Sequence, residues 1–321
     1  MKQNKTTLIG GALAMLILIL DSRAAANAAA VGLDSCIRTV IPSLLPFFLI
    51  CGYLTGGIEG CGWIGRIFRS SPNCGTVILT GLLGGYPLGA RLAAQQTRAG
   101  MIAKAQGDRL LLFCSQAGPS FLFGIAATQM DSPSAGWTLW LIQILSALSV
   151  ARLFPESPVG MPEKADFRSV PQEDRMLAAL KAMASVCGWV IVCNVVISFL
   201  DRWFLWLLPE PIQVLLSGFV ELTGGCLRLR QIQDSELRFL LAAILLNFGG
   251  LCVLMQTRSV APELNLRNYL LGKCLQTGFS ILYAMIFLGH PEALIPLVCV
   301  FSLAFAGSLR KKDSIPGKIG V

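Results

Sequence analysis

The sequence predicts an all-α polytopic membrane protein with about eight transmembrane helices plus two re-entrant hairpins. Three observations carry that reading. Of the 321 residues, 54% are hydrophobic and only 14% charged, with a mean hydropathy of +0.66. A typical soluble domain carries about 25% charged residues. Apolar runs of roughly 20 residues, long enough to cross a bilayer, recur along the whole chain. Two further apolar runs are interrupted by glycine and proline. This composition excludes a disordered chain, a coiled coil and an ordinary cytosolic enzyme.

The elements follow in order. Lys2 and Lys5 precede an apolar stretch over residues 6–20. A basic start and a short apolar core resemble a signal peptide, but many spans follow, so an uncleaved first helix is preferred. Residues 24–36 are too polar-flanked to span and predict a helix lying at the interface. Seven further spans are expected at 39–57, 110–130, 137–154, 176–200, 239–255, 269–288 and 293–309. The broken runs are 76–90, with Gly81, Gly84, Gly85, Pro87 and Gly89, and 212–227, with Gly218, Glu221, Thr223, Gly224 and Gly225. Glycine and proline at that density end a helix, and opened backbone at membrane depth is tolerated only against protein or water. Both runs therefore predict hairpins that line a cavity.

Charge placement tests the hairpins. With both re-entrant and the amino terminus inside, 18 Lys and Arg fall inside and 6 outside, with Lys181 and Lys273 within spans, which accounts for all 26. If both runs crossed fully, the split would be 11 inside against 13 outside. The re-entrant topology wins, although it places Arg228, Arg230 and Arg238 outside.

Residues 155–175 form a Pro-rich, charged seam, read as a cytoplasmic linker. It gives five regions: an N-terminal transmembrane and interfacial part at 1–36, a first repeat at 37–154, the linker, a second repeat at 176–309, and a basic cytoplasmic tail at 310–321. Each repeat orders a span, a Gly-broken run, a polar segment and a span with a polar break at its middle. Gln116 corresponds to Asn247, Gly118 to Gly249 and Pro119 to Gly250. An odd number of crossings turns the second copy upside down. Inverted repeats with interrupted helices in matching places point to a midplane transport site.

The candidate substrate-binding residues are Gly85, Tyr86, Pro87, Arg91, Ser115, Gln116, Gly118, Pro119, Glu221, Thr223, Asn247, Gly249 and Gly250. A half-helix opening after Gly118-Pro119 offers backbone N–H groups and a positive dipole end, which suit an anion. Gln116 and Asn247 can donate and accept hydrogen bonds; the plainer alternative is that they glue helices together. Glu221 lies inside the second broken run, where a charge is costly, so it either binds a cation, carries a coupled proton or pairs with a basic group. Arg91 faces the cavity or snorkels to the cytoplasm. Lys181 and Lys273 are expected near the ends of their spans.

Catalytic chemistry is disfavoured, and no enzyme, cofactor or metal site is expected. The eleven Cys form no C-x-x-C pair and mostly sit in apolar runs. His290 is the only histidine, in a Gly-His-Pro-Glu turn, so a hydrolytic triad would depend on it alone. A phosphate-binding Gly-Lys-Ser/Thr pattern is absent.

Four stretches carry a family likeness. Ile41-Pro-Ser-Leu-Leu-Pro-Phe-Phe48, Gly84-Gly-Tyr-Pro-Leu-Gly-Ala90, Phe113-Cys-Ser-Gln-Ala-Gly-Pro119 and the later Gly249-Gly250 resemble the sporulation integral membrane proteins of endospore-forming Firmicutes. This is the YlbJ or SpoVV type, with nucleoside-recognition (Gate) domains, and the likeness runs from about residue 24 to 309. The family pattern is nearer Asn-Asn-x-Gly-Pro where this chain has Ser115-Gln116-Ala117-Gly118-Pro119, a departure that bears on substrate rather than fold. The resemblance implies Gate-like repeats similar to concentrative nucleoside transporters, whose paired hairpins and broken helices hold the substrate. It further implies sporulation transport of a small organic anion, dipicolinate first among candidates, from mother cell to forespore. The setting would be the mother-cell plasma membrane or the outer forespore membrane. The partners would be that small-molecule anion and the lipid bilayer, with no nucleic acid and a homo-oligomer left open. The alternatives are a carrier of nucleosides or other metabolites, and a non-transporting scaffold for spore maturation.

Overall fold

The computed structural model describes residues 5–54, 61–156 and 175–289. The span expected at 293–309, the His290 turn, most of the 155–175 linker and the basic tail lie outside the described residues. The described elements are helical, without a strand. Large apolar side chains such as Leu13, Ile19, Val192, Leu271 and Phe287 are exposed on helix exteriors. Such a surface would be costly in water and is the ordinary outer face of a membrane bundle. Five helical segments among the described residues are long and apolar enough to cross a membrane: Ser22–Ile50, Pro133–Leu153, Ala179–Trp203, Ser235–Val260 and Leu266–Phe287. The chain is a polytopic α-helical membrane protein.

Helix α1 (Lys5–Leu20) leads into α2 (Ser22–Ser35), a π-helical turn at Cys36–Val40, and α3 (Ile41–Leu54). These last three run on as one continuous helical segment, long and apolar enough over Ser22–Ile50 to cross a membrane, rather than as a separate helix at 24–36. Gly32 lets α2 lie against α10 (Arg175–Trp203), where a Cβ would stand 2.9 Å from the Ile191 Cα. At the opposite end of that contact, Arg202 pairs with Asp21 at 2.6 Å.

Short helices follow. They are α4 (Gly62–Ile67), the hairpin of α5 (Gly75–Gly84) and α6 (Leu88–Arg98), and α7 (Lys104–Leu110). The run 110–130 is interrupted where the sequence places a polar break: residues 115–118 are non-helical, and only then do α8 (Pro119–Phe121), a π turn at Leu122–Ala126 and a 3-10 turn at Ala127–Gln129 form. Helix α9 (Pro133–Leu153) closes the first half; Ser132 accepts the Ser134 N–H at its start. In the second half, α10 is followed by the hairpin of α11 (Glu210–Val220) and α12 (Leu222–Arg228), then α13 (Ser235–Phe248), α14 (Gly250–Val260) and α15 (Leu266–Phe287). Both broken runs are therefore helical hairpins. Helix α15 packs against both α9 and α13.

A polar clamp anchors the end of α9. The buried Arg109 donates to the Phe154 and Ala151 carbonyls and to Ser70 Oγ, and stacks over Phe113 at 5.1 Å. Next to it, Glu156 accepts from the Ser71 N–H at 2.6 Å and from the side chains of Ser71 and Gln106.

Candidate functional site

Each hairpin is held by a glycine crossing pressed against the break of a following span. In the first, a Cβ on Gly89 would lie 2.9 Å from the Gly81 Cα and 1.9 Å from the Cys114 carbonyl oxygen. In the second, a Cβ on Gly225 would lie 2.2 Å from the Gly218 Cα, with the Leu245 side chain filling the same corner. Only residues without a side chain let two helices and a third backbone meet so closely. The tip of the first hairpin, Gly85-Tyr86-Pro87, rests on Gly118: a Cβ there would stand 3.0 Å from the Gly85 Cα. Pro87 is the N-cap of α6, and Pro119 opens α8.

In the second half the break is Gly249-Gly250, with φ of +81° and +84°, a left-handed pair that ends α13 and starts α14. Gly250 faces the Gly218 carbonyl, and Gly249 faces Tyr86 Oη, which would lie 2.9 Å from a Cβ on Gly249. Tyr86 thus joins the two halves, and its hydroxyl donates to the Leu246 carbonyl at 3.0 Å.

The non-helical segment has its backbone oxygens served by side chains. Gln276 donates to the Leu112 carbonyl, Gln116 to Phe113 at 3.1 Å, Lys273 to Ser115, and Gln143 to Ala117 at 2.8 Å. This is how an opened backbone survives in the bundle: these four carbonyls, freed from the helical ladder, each find a side-chain donor. Gln116 and Gln276 also bond each other at 2.6 Å.

Lys273 is a correction to the expectation that it sits near the end of its span. It is the eighth residue of α15 and 1% exposed. Its Nζ donates to Tyr86 Oη at 3.0 Å, to Gln276 Oε1 at 3.2 Å and to the Ser115 carbonyl, and lies 4.8 Å from the Tyr86 ring centroid. Sequence reasoning missed Lys273 and Gln276 as site residues. The signal was there: Tyr269, Lys273, Gln276 and Ser280 recur at helical spacing on one face of an apolar helix, and all four are buried.

In front of Tyr86 opens a cleft with room for about 50 Å³ of water-sized occupants. Its polar lining is Ser43, Tyr86, Glu221, Thr223 and Gln256, with Gly118 at the tip and apolar side chains elsewhere, Phe121 and Cys252 among them. Glu221, 3% exposed, is the corner of the second hairpin. Its carboxylate caps α12, accepting the Thr223 N–H at 2.9 Å and the Gly224 N–H at 2.7 Å.

The structure thus brings Tyr86, Gly118, Glu221 and Thr223 to one cleft. Ser115 and Gln116 sit behind Tyr86 with Lys273. Asn247, 1% exposed, donates to the Ala243 carbonyl one turn back on α13 at 2.9 Å. Arg91 lies half-buried on α6, outside the cleft lining. Ser115 Oγ, Gln116 Oε1 and Asn247 Oδ1 are buried without a hydrogen-bond partner among the described residues. Removing the hydroxyl that ties the halves together is expected to matter: Tyr86→Phe should lower stability by about 1–3 kcal/mol, because Lys273 and Leu246 each lose a buried partner. Thermal unfolding of the purified variant in detergent checks this; an unchanged midpoint would show that the hydroxyl bridge is energetically idle.

Comparison with known proteins fits these features. The chain is 24% identical to the sporulation integral membrane protein YlbJ of Bacillus subtilis (strain 168), over 84% of this chain and 79% of that one. The match supports the YlbJ-type family. No family model matches the chain, and no solved structure does.

Proposed function

We propose that this YlbJ-type protein is a sporulation membrane transporter that moves a small organic anion, dipicolinate before others, from mother cell to forespore. It would work in the mother-cell plasma membrane or the outer forespore membrane. The observation that carries the reading is Lys273. Its Nζ is buried behind the cleft and held by neutral oxygens; protonated, it offsets the Glu221 carboxylate that lines the cleft and so lets an anion enter. The apolar walls suit a flat ring, and Ser43, Thr223 and Gln256 supply hydrogen bonds for polar ends.

The matched glycine crossings, Gly81 with Gly89 and Gly218 with Gly225, favour an inverted pair of Gate-like repeats. Both crossings lie against corresponding positions of the later spans, Cys114 and Leu245. That arrangement suits alternating access, in which one repeat rocks against the other around Tyr86.

The test is uptake of labelled dipicolinate into vesicles holding the purified protein. Saturable uptake, competed by unlabelled dipicolinate and not by nucleosides, is the expected result. Competition by nucleosides would move the assignment to a nucleoside carrier. Absence of uptake of either would favour a scaffold.

A further inference from the structure

We infer that Lys273 fills a small-cation site with its own ammonium group, so that this cleft works without a sodium ion. Three oxygens surround Nζ: the carbonyl of Ser115 in the unwound segment, Gln276 Oε1 and Tyr86 Oη. None is a carboxylate. Oxygen donors of this kind, with an unwound backbone carbonyl among them, are the usual shell of a transporter's coupling sodium. An ammonium offers three N–H donors, and three acceptors meet them.

The plainer role, serving a freed carbonyl, does not call for a charge. Gln276 and Gln143 do that work at Leu112 and Ala117 as neutral amides. Among the described residues, only at Ser115 is the donor a lysine, and only there do oxygens from three separate segments converge on one nitrogen. The neighbourhood carries spare capacity: Ser115 Oγ and the Oε1 of Gln116, which bonds Gln276, are fully buried and unpartnered among the described residues. Shortening the lysine would leave an oxygen-lined void with a vacant cation position.

The consequence for transport rests on the carrier reading; the cation site itself does not. The first arm therefore uses stability alone. Thermal unfolding of the full chain in detergent is measured in sodium, ammonium and choline chlorides at equal ionic strength. The wild-type midpoint is expected to be the same in all three. Lys273→Ala should unfold earlier in choline chloride and recover by roughly 2–5 °C in sodium or ammonium chloride. Lys273→Met, which fills the space without charge, should show no recovery. A sodium-stabilised wild type would overturn the inference, as would a folded Lys273→Ala that responds equally to all three salts. If neither variant can be purified, the wild-type salt comparison still decides. The second arm compares dipicolinate uptake in sodium and choline media. Equal rates are expected, and a sodium requirement overturns the inference. No uptake in either medium would sink the carrier reading and leave the stability arm to judge the cation site.

Discussion

Gly272→Ala is expected to destabilise the protein severely, while Gly278→Ala on the same helix leaves it unharmed. A Cβ on Gly272 would fall 2.1 Å from the Leu112 carbonyl oxygen and 2.5 Å from the Leu112 Cα. Both are backbone atoms of the segment leading into the non-helical 115–118 stretch, and they cannot swing aside as a side-chain tip would. Overpacking of a close contact typically costs about 1–3 kcal/mol, and more when backbone must move. Displacing α15 here would also pull Lys273 from Ser115 and Gln276 from Leu112. At Gly278 an added Cβ meets nothing within 4 Å. There the substitution removes a weak helix former, worth up to about 1 kcal/mol in its favour. Unfolding midpoints of the two variants in one detergent compare them directly. Equal midpoints would mean that α15 does not press on the 112 backbone.

That contact also explains how far the fold was legible in the sequence. Glycine and proline at 81–89 and 218–225 announced both hairpins, because those residues act through the local backbone. The break at 115–118 was also legible, as a polar interruption, but what holds it open was not. Hydropathy sees Leu110-Leu-Leu-Phe113 as helix-forming, and the notional helix is undone by partners far away in the chain. Gln143, Lys273 and Gln276 take its carbonyls, and Gly272, Gly81 and Gly89 admit its backbone. The polar residues inside α9 and α15 were visible, but which backbone they served was a tertiary fact. The merging of 24–36 with the next span has a similar cause: Gly32 and Asn194 meet across α2 and α10, a contact that no local window contains. Among the site residues, Tyr86, Gly118, Glu221 and Thr223 were found by local motif and do share a cleft. Lys273 was missed because a lysine eight residues into a helix reads as one that can reach the interface. Its depth is set by α9 and α13 packing against α15.

Glu221→Gln should separate coupled from passive movement. The carboxylate is 3% exposed, sits in the cleft and caps α12 through two backbone N–H groups. A buried carboxylate persists when its oxygens are satisfied, and here two amides do that. The cap alone would be kept in large part by any acceptor, so its loss is worth about 1 kcal/mol. Glutamine retains the size and one acceptor oxygen but cannot take or release a proton. Lys273, with its ammonium behind the same cleft, leaves a sodium ion little reason to bind there. The remaining way to neutralise an incoming anion against Glu221 is a proton on the carboxylate. Glu221→Gln is therefore expected to abolish dipicolinate accumulation driven by a pH gradient, while exchange of dipicolinate down its own gradient continues at a comparable rate. Uptake with and without an imposed pH difference, in the same vesicles, reads both quantities. If accumulation survives in the variant, Glu221 is only the cap of α12, and the coupling proton must be sought elsewhere in the bundle.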